Sequence, residues 1–245
     1  MIVLNVGATS AVSTLAVSTS RAGSPGTNLQ LDSQQVRWQA ATDGTTSAYV
    51  EIVLAKAATS LVLVGTTADA AALTVGGAVP AGLVATEYID PYFGWSTWWF
   101  TFDSLASGTT VRVTLTKVSS AGSALGASRL LVGDVVDLSE SVIYPLQEGL
   151  RDTSIITELA SGNFHCRNRP RARTYAGQAR LSRTAGMISM LRDMGRTLGS
   201  QATAFHVAPE WGAGFCVYAR MLTLPSGGYD WPNYGLASFE LVEVL

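Results

Sequence analysis

Four arginines at alternating positions form the most prominent charged motif of this sequence. Arg167, Arg169, Arg171 and Arg173 are spaced two residues apart, with Pro170 between them. In an extended backbone this spacing places all four side chains on one side, and the proline restricts the segment to a sheet edge or a loop. Because arginine forms forked hydrogen bonds with carboxylates, we predict that this segment docks on an acidic surface of a neighbouring subunit.

Two other roles for the arginine run stay open. The charges could protect an exposed strand edge against aggregation. They could also bind nucleic acid, but residues 141–245 contain no lysine, and no aromatic residues interleave with the run, so this role is disfavoured. Subunit docking predicts that exchange of Arg169 and Arg171 for glutamate spares folding and prevents assembly.

An aromatic cluster lies in and before the strand predicted for residues 97–102. Its candidate binding residues are Tyr92, Trp95 and Trp99. Phe100 and Phe102 share one face of the strand, and Trp99 points to the other. We expect one face to be core. The other offers aromatic rings for stacking on a sugar or for a contact between subunits.

The histidines and cysteines are weak metal candidates. His165 and Cys166 are neighbours, so they point to opposite sides of a strand. If residues 203–208 and 214–222 form a hairpin, His206 lies opposite Cys216. Together with Cys166 this makes three ligands, whereas a structural zinc site needs four. We predict a buried thiol beside a hydrogen-bonded histidine, with no metal and no cofactor.

No catalytic motif is present in the sequence. It lacks a Gly-x-Ser-x-Gly segment, a phosphate-binding loop and a His-Glu-x-x-His segment. We therefore predict that the protein is not an enzyme and has no catalytic residues. A glycan-cleaving hydrolase remains an alternative, because its two carboxylates can be distant in the chain.

Composition favours a protein that works through contacts with partners. Only 14% of the 245 residues are charged, so a monomer would have difficulty covering its surface with polar groups. The net charge of −2 gives no general attraction to nucleic acid or membranes. The charge is uneven: residues 1–140 hold 6 cations and 10 acids (net −4), and residues 141–245 hold 10 cations, all arginine, and 8 acids (net +2).

Targeting signals are not apparent. The first residues carry no charged segment followed by an apolar run, so we expect no signal peptide. No stretch reaches the about 18 apolar residues of a membrane span. Two cysteines do not form a disulfide framework, and synthesis in a reducing cytoplasm is expected.

The first half has the pattern of an all-β sandwich or jelly roll. Predicted strands cover residues 35–39, 48–55, 60–64, 72–75, 97–102, 110–117 and 129–138. Strict alternation places Val111, Val113 and Leu115 on one face. Residues 124–141 contain the strand that closes the first domain and leads into the second. Residues 1–28 contain possible strands at 1–6 and 11–17, and form either an arm on a neighbouring subunit or strands of their own domain.

Part of this first half resembles a family. The segments AYVEIVLAKAATSLVLVGTTADAAALTV, STWWFTFDSLASGTTVRVTLTK and GASRLLVGDVVDL are similar to the galactose-binding-like β-sandwich of tail proteins from tailed bacteriophages. The likeness covers about residues 35–138, with Ser128 where the family usually has glycine. It implies a structural role in the virion, without catalysis.

The second half is predicted to consist of strands around one helix. Strands are predicted at 154–159, 163–167, 173–182, 203–208, 214–222 and 236–244, with a loop at 225–233. Residues 184–200 change to a helical period, with Met187, Leu191, Met194 and Leu198 on one stripe. This element order resembles the small β-sandwich-plus-helix units of phage tail tube and distal tail proteins.

These patterns together give the following expectations. The predicted domains are an N-terminal arm (1–28), a galactose-binding-like β-sandwich (29–140) and a β-sandwich assembly domain with one helix (141–245). We predict a structural protein of the tail tip, distal tail or adaptor of a tailed phage, made in the host cytoplasm. Its expected partners are copies of itself in a ring and other tail proteins. A carbohydrate-binding receptor module is the main alternative.

Overall fold

The structure, a computed structural model, confirms the predicted all-β class. It describes residues 2–5, 12–31, 34–90, 94–118, 124–137, 142–152, 154–158, 164–167, 171–182, 201–207, 216–231 and 234–244. The strands are β1 (Ile2–Asn5), β2 (Val12–Val17), β3 (Trp38–Gln39), β4 (Ser47–Leu54), β5 (Ala58–Thr66), β6 (Ala70–Val75), β7 (Val84–Ile89), β8 (Ser96–Leu105), β9 (Thr110–Thr116), β10 (Gly126–Ala127), β11 (Arg129–Asp137), β12 (Val142–Arg151), β13 (Ile155–Glu158), β14 (Phe164–Arg167), β15 (Ala172–Ser182), β16 (Thr203–His206), β17 (Cys216–Trp231) and β18 (Tyr234–Glu243). A short 3-10 helix covers Gly26–Gln30.

The first half folds as a β-sandwich. A four-stranded antiparallel sheet in the order β2-β4-β9-β6 packs against strands β11, β5 and β8. In β9, Val111, Val113 and Leu115 are buried and the residues between them are more exposed, which confirms the predicted alternation. Phe100 and Phe102 of β8 belong to the same core. Period-2 patterning therefore decides which face of each strand is apolar.

One sheet of ten strands connects the two halves of the chain. Its order is β12-β15-β18-β17-β16-β1-β11-β5-β8-β7. The N-terminal strand β1 lies between β16 and β11 and pairs antiparallel with both. The sequence left open whether this segment lies on a neighbouring subunit or forms a strand of its own domain. In the structure, β1 pairs on both sides with strands of its own chain.

The ten-stranded sheet curls back on itself. In a flat sheet, β7 and β16 would be five strand spacings apart, or about 24 Å. Instead, Tyr88 of β7 contacts His206 of β16, with 3.1 Å between Tyr88 Oη and His206 Nδ1. As a result, both faces of β5 are buried. Leu61 and Leu63 face the sandwich core, and Val62 and Val64 face a second core.

Several predictions for the second half are corrected or lie outside the described residues. The loop predicted at 225–233 is wrong for residues 225–231, because β17 continues to Trp231 and pairs with β18 across irregularities between Thr223 and Ser226 and between Gly228 and Trp231. Such bulges accommodate Pro225 within a strand. The predicted strands include neither β12 nor, in the first half, β7. The helix predicted at 184–200 lies outside the described residues. Within the described part of the chain, no helix has the length and apolar character to cross a membrane.

Candidate functional site

A buried ion cluster lies where the curled sheet meets itself. Arg173 of β15 contacts Glu243 of β18 twice, with Nη2 2.7 Å from Oε1 and Nε 3.1 Å from Oε2. The backbone N–H of Arg173 also donates to Glu243 Oε2, at 3.1 Å. Arg173 Nη2 reaches Asp90, the residue after β7, at 2.7 Å from Oδ2. One guanidinium therefore joins strands of the second half to the far end of the sheet.

The cluster is deeply buried and strongly coupled. The Arg173 and Glu243 side chains are each 3% exposed, and the Asp90 side chain is 17% exposed. Burial lowers the pKa of Arg173, but hydrogen bonds and charge from Glu243, and then the charge of Asp90, outweigh it and raise the pKa above its usual value. Two carboxylates thus share one cation, and each member depends on the others.

A second polar group adjoins the ion cluster. Tyr88 and His206 hydrogen bond through Oη and Nδ1, and their rings meet edge to face with centroids 4.6 Å apart. His206 pairs directly with Cys216 across β16 and β17. The predicted placement of these two residues opposite each other is confirmed. Tyr88, His206 and Cys216 therefore share one face of the curled sheet.

The chemistry open to this group is limited by burial. Burial raises the pKa of Cys216 to about 12, so the thiol is protonated at neutral pH and is a poor nucleophile. Burial also raises the pKa of Tyr88 to about 12, with a smaller contribution from Cys216. The cavity beside Tyr88, Cys216 and the ion cluster has a volume of about 10 Å³, enough for about one water molecule. This arrangement fits a packed contact between β7 and strands β16 and β17 better than a substrate pocket.

The raised pKa of Tyr88 predicts an alkaline loss of stability. Between pH 10 and 12 the folded chain keeps a proton on Tyr88 that the unfolded chain releases, so the free energy of unfolding falls as pH rises. The slope from one such group is about 1.4 kcal/mol per pH unit. We expect a Tyr88→Phe variant to lose less stability than wild type over this range, measured by denaturant unfolding at pH 9, 10 and 11. Equal slopes for the two proteins would contradict the buried phenol.

Comparisons with known proteins do not place the chain in a family. No protein-family model matches it, and the search of curated proteins found no match. Among solved structures, it is similar to a chain of the X-ray crystal structure of reduced XRCC1 bound to the DNA polymerase beta catalytic domain, at 16% sequence identity and a TM-score of 0.37. The overlap covers 49% of this chain and 93% of that chain. Similarity at this level carries no argument about fold or function.

The structure divides the predicted arginine run among different environments. Arg167 ends β14, Arg171 is exposed before β15, and Arg173 is buried inside β15. Arg169 lies outside the described residues, as does the side chain of Arg167. The expectation of four exposed cations on one side is wrong for Arg173, because Glu243 and Asp90 of the same chain neutralise it. The predicted subunit interface stays a prediction for the other three residues.

The predicted aromatic platform is only partly present. Trp99 is 4% exposed and packs in the second core, so it is corrected from a candidate binding residue to a core residue. Trp95 is partly exposed, and the Arg37 guanidinium carbon lies 4.3 Å from its ring centroid. Tyr92 lies outside the described residues. A sugar-stacking surface made of all three residues is therefore excluded by the burial of Trp99.

Metal binding finds no support among the described side chains. In this part of the chain, no group of three or more histidine, cysteine, aspartate or glutamate residues has the arrangement to hold a metal ion. His165 and Cys166 are in β14, paired with Thr157 and Ile156 of β13. Their side chains lie outside the described set.

Glu243 and Asp90 of the ion cluster, and Tyr88 beside it, were not among the predicted site residues. Glu243 follows Phe239 and Leu241 at period 2, and all three are buried. This inward-pointing acid at the end of an apolar strand face was a usable signal for a buried ion pair. Asp90 had no comparable signal, because it follows β7 outside any strand and meets Arg173 only through the curl of the sheet.

Proposed function

We propose that this chain is a structural protein of a tailed-phage virion, located in the tail tip, distal tail or adaptor region, and that it acts through contacts between subunits. The observation that carries the proposal is an unpaired apolar edge of the ten-stranded sheet. Strand β7 ends this sheet, and Val84 and Ile89 on it are 58% and 56% exposed. Among the described residues, no strand pairs with its outer side.

An exposed strand edge with apolar side chains is a template for pairing with another chain. Proteins that stay monomeric usually block such an edge with lysine, proline or a covering loop. The opposite end of the same sheet is β12, where Leu150 is 53% exposed. Because the two edge strands differ, β7 of one subunit can pair with β12 of the next in a head-to-tail contact. Such contacts generate a ring when the rotation between successive subunits closes.

The sequence resemblance and the low charge content support the same proposal, and the water-sized cavity at the buried cluster gives no support for catalysis. The proposed virion function requires no enzymatic step. A carbohydrate-binding role loses its main candidate residue with the burial of Trp99.

Lysine substitutions on β7 test the proposal. Burying one Val or Ile side chain is worth about 1.5–3 kcal/mol, so Val84→Lys with Ile89→Lys is expected to weaken self-association by about 100-fold or more. The measurement is light scattering after size-exclusion chromatography, with circular dichroism to show that the fold is intact. Electron microscopy of assembled particles then shows whether the variant is incorporated.

Val118→Lys is the matched control, because Val118 is 91% exposed and lies after β9, outside any sheet edge. It should assemble as wild type does. A double β7 variant that assembles normally would contradict the edge contact. A wild-type chain that is monomeric at all concentrations and absent from particles would contradict the structural role itself.

A further inference from the structure

The hydrogen bonds of β7 show which of its backbone groups face the open edge of the sheet. The N–H of Asp90 donates to the carbonyl of Trp95, the residue before β8, at 2.8 Å. In an antiparallel ladder, residues that bond to one neighbouring strand alternate with residues whose N–H and C=O groups point to the other side. The same register continues along β7, so the groups that face the open edge are those of Ala85, Glu87 and Ile89.

An exposed carboxylate lies beside the start of β7. Asp103 of β8 is exposed, and its backbone N–H donates to the carbonyl of Ala81 at 3.0 Å. Gly82 has a φ of +67°, and a Cβ at this position would overlap the Asp103 carboxylate, so glycine allows that side chain to lie against the backbone. A strand added to β7 would lie two strand spacings, or about 9.6 Å, from β8. An arginine on the added strand can reach Asp103 across this gap.

Two exposed arginines lie at the end of β12, the other edge strand of the sheet. Arg151 is the last residue of β12 and pairs with Ala172 of β15. Arg171 directly precedes Ala172, and both arginines are exposed. Asp152 adjoins them, and its Oδ1 accepts a hydrogen bond from the N–H of Ser154 at 2.8 Å. Two cations therefore adjoin one acid at this end of the edge.

We propose, on the basis of the structural function proposed above, that β7 of one subunit pairs antiparallel with β12 of the next subunit, and that Asp103 contacts Arg151 and Arg171 of that subunit. Antiparallel pairing brings the start of β7 to the end of β12, so opposite charges meet. Arginine binds carboxylates through forked hydrogen bonds, and charge pairs at the rim of an interface mainly fix the orientation of the partner. The arginine-rich second half of one subunit thus meets the acidic first half of the next.

Parallel pairing would bring the two arginines to the end of β7 instead. Asp90 lies at that end, and its carboxylate already contacts Arg173 of its own chain at 2.7 Å. All strand pairs in the described part of the chain are antiparallel. Antiparallel pairing also places Val84 near Leu150, and these side chains are 58% and 53% exposed. Charge and apolar contact therefore favour the same orientation.

Cross-linking between two variants tests the orientation. Val84→Cys or Ile89→Cys is mixed with an affinity-tagged Leu150→Cys chain and treated with a short bismaleimide. Both chains carry Cys166→Ser, and the other native cysteine, Cys216, is buried. Val84 and Ile89 are about 17 Å apart along β7, so a short linker distinguishes the two ends. We expect the mixed product to form mainly through Val84→Cys.

Charge reversal tests the ionic contact. Asp103→Arg is expected to weaken self-association by about 10-fold, because two attractive contacts become repulsive. Arg151→Glu with Arg171→Glu should weaken it similarly, and all three changes in one chain should restore it. Lys56→Glu is the matched control and should associate as wild type does, because Lys56 is exposed between β4 and β5, away from both edges. Light scattering after size-exclusion chromatography measures association, and circular dichroism checks the fold.

The possible outcomes separate this inference from the structural role. Cross-linking mainly through Ile89→Cys, or through neither position in a chain that self-associates, would overturn the antiparallel contact and leave the structural role standing. Reversal variants that associate as tightly as wild type would overturn the ionic contact. A wild-type chain that stays monomeric and is absent from particles would overturn both the inference and the proposed function.

Discussion

Replacing Arg173 by methionine is expected to lower the free energy of unfolding by about 3–5 kcal/mol, the typical cost of breaking a buried ion pair by removal of one partner. Methionine fills similar space but removes the cation that contacts both Glu243 and Asp90. Since domains are stable by only about 5–15 kcal/mol, this change removes a large fraction of the total. Urea unfolding followed by circular dichroism measures it.

The control for this prediction is Arg171→Met, two residues earlier in the chain. Arg171 is exposed, so its loss should change the free energy of unfolding by no more than about 0.5 kcal/mol. Removing the acids as well should restore part of the loss. In Arg173→Met combined with Glu243→Gln and Asp90→Asn, the total cost should be smaller than the sum of the single changes, because the residues form one network. Additive costs would mean that the three side chains act independently.

Trp99→Ala is expected to cost about 3–5 kcal/mol, the usual range for truncating a buried tryptophan to alanine. Trp99 is 4% exposed and packs with Val62, Leu131 and Tyr218, which come from both halves of the chain. The substitution leaves a cavity between the curled end of the sheet and the second half. Thermal and urea unfolding of the purified variant provide the measurement.

Trp95→Ala separates this core role from a surface role. Trp95 is partly exposed, so its truncation should cost clearly less than that of Trp99. If Trp99→Ala leaves stability intact and instead abolishes binding to a glycan, Trp99 belongs to an exposed platform and the second core is wrong. If both variants lose little stability, the two halves of the chain do not pack through this face.

The ion cluster and the second core both connect the β7 end of the sheet to strands of the second half. Changes in either are therefore expected to affect the proposed assembly. The Arg173–Asp90 contact anchors the residue that directly follows β7, and β7 carries the proposed subunit edge. Loss of Arg173 is therefore expected to impair assembly as well as folding stability. The β7 lysine variants separate the two effects, because they alter only exposed positions.

The amino-acid sequence alone was sufficient for the class of fold and much of the local pairing. Alternating apolar residues predicted the buried face of β9, since side chains in a strand point to opposite sides at each step. The same rule placed His206 opposite Cys216, because the short connection between their strands restricts the register of a hairpin. Both results depend on local geometry, in which neighbours along the chain are also neighbours in space.

Only the tertiary structure decided the roles of Arg173, Trp99 and Asp90. Periodicity shows which residues share a strand face, but it contains no information on what covers that face. Arg173 and Trp99 lie on faces that are covered by segments about 70 or more residues away in the chain, so sequence patterns could not distinguish them from exposed residues. Asp90 becomes part of the cluster because the ten-stranded sheet curls, and that curvature arises from the packing of both halves rather than from any short segment.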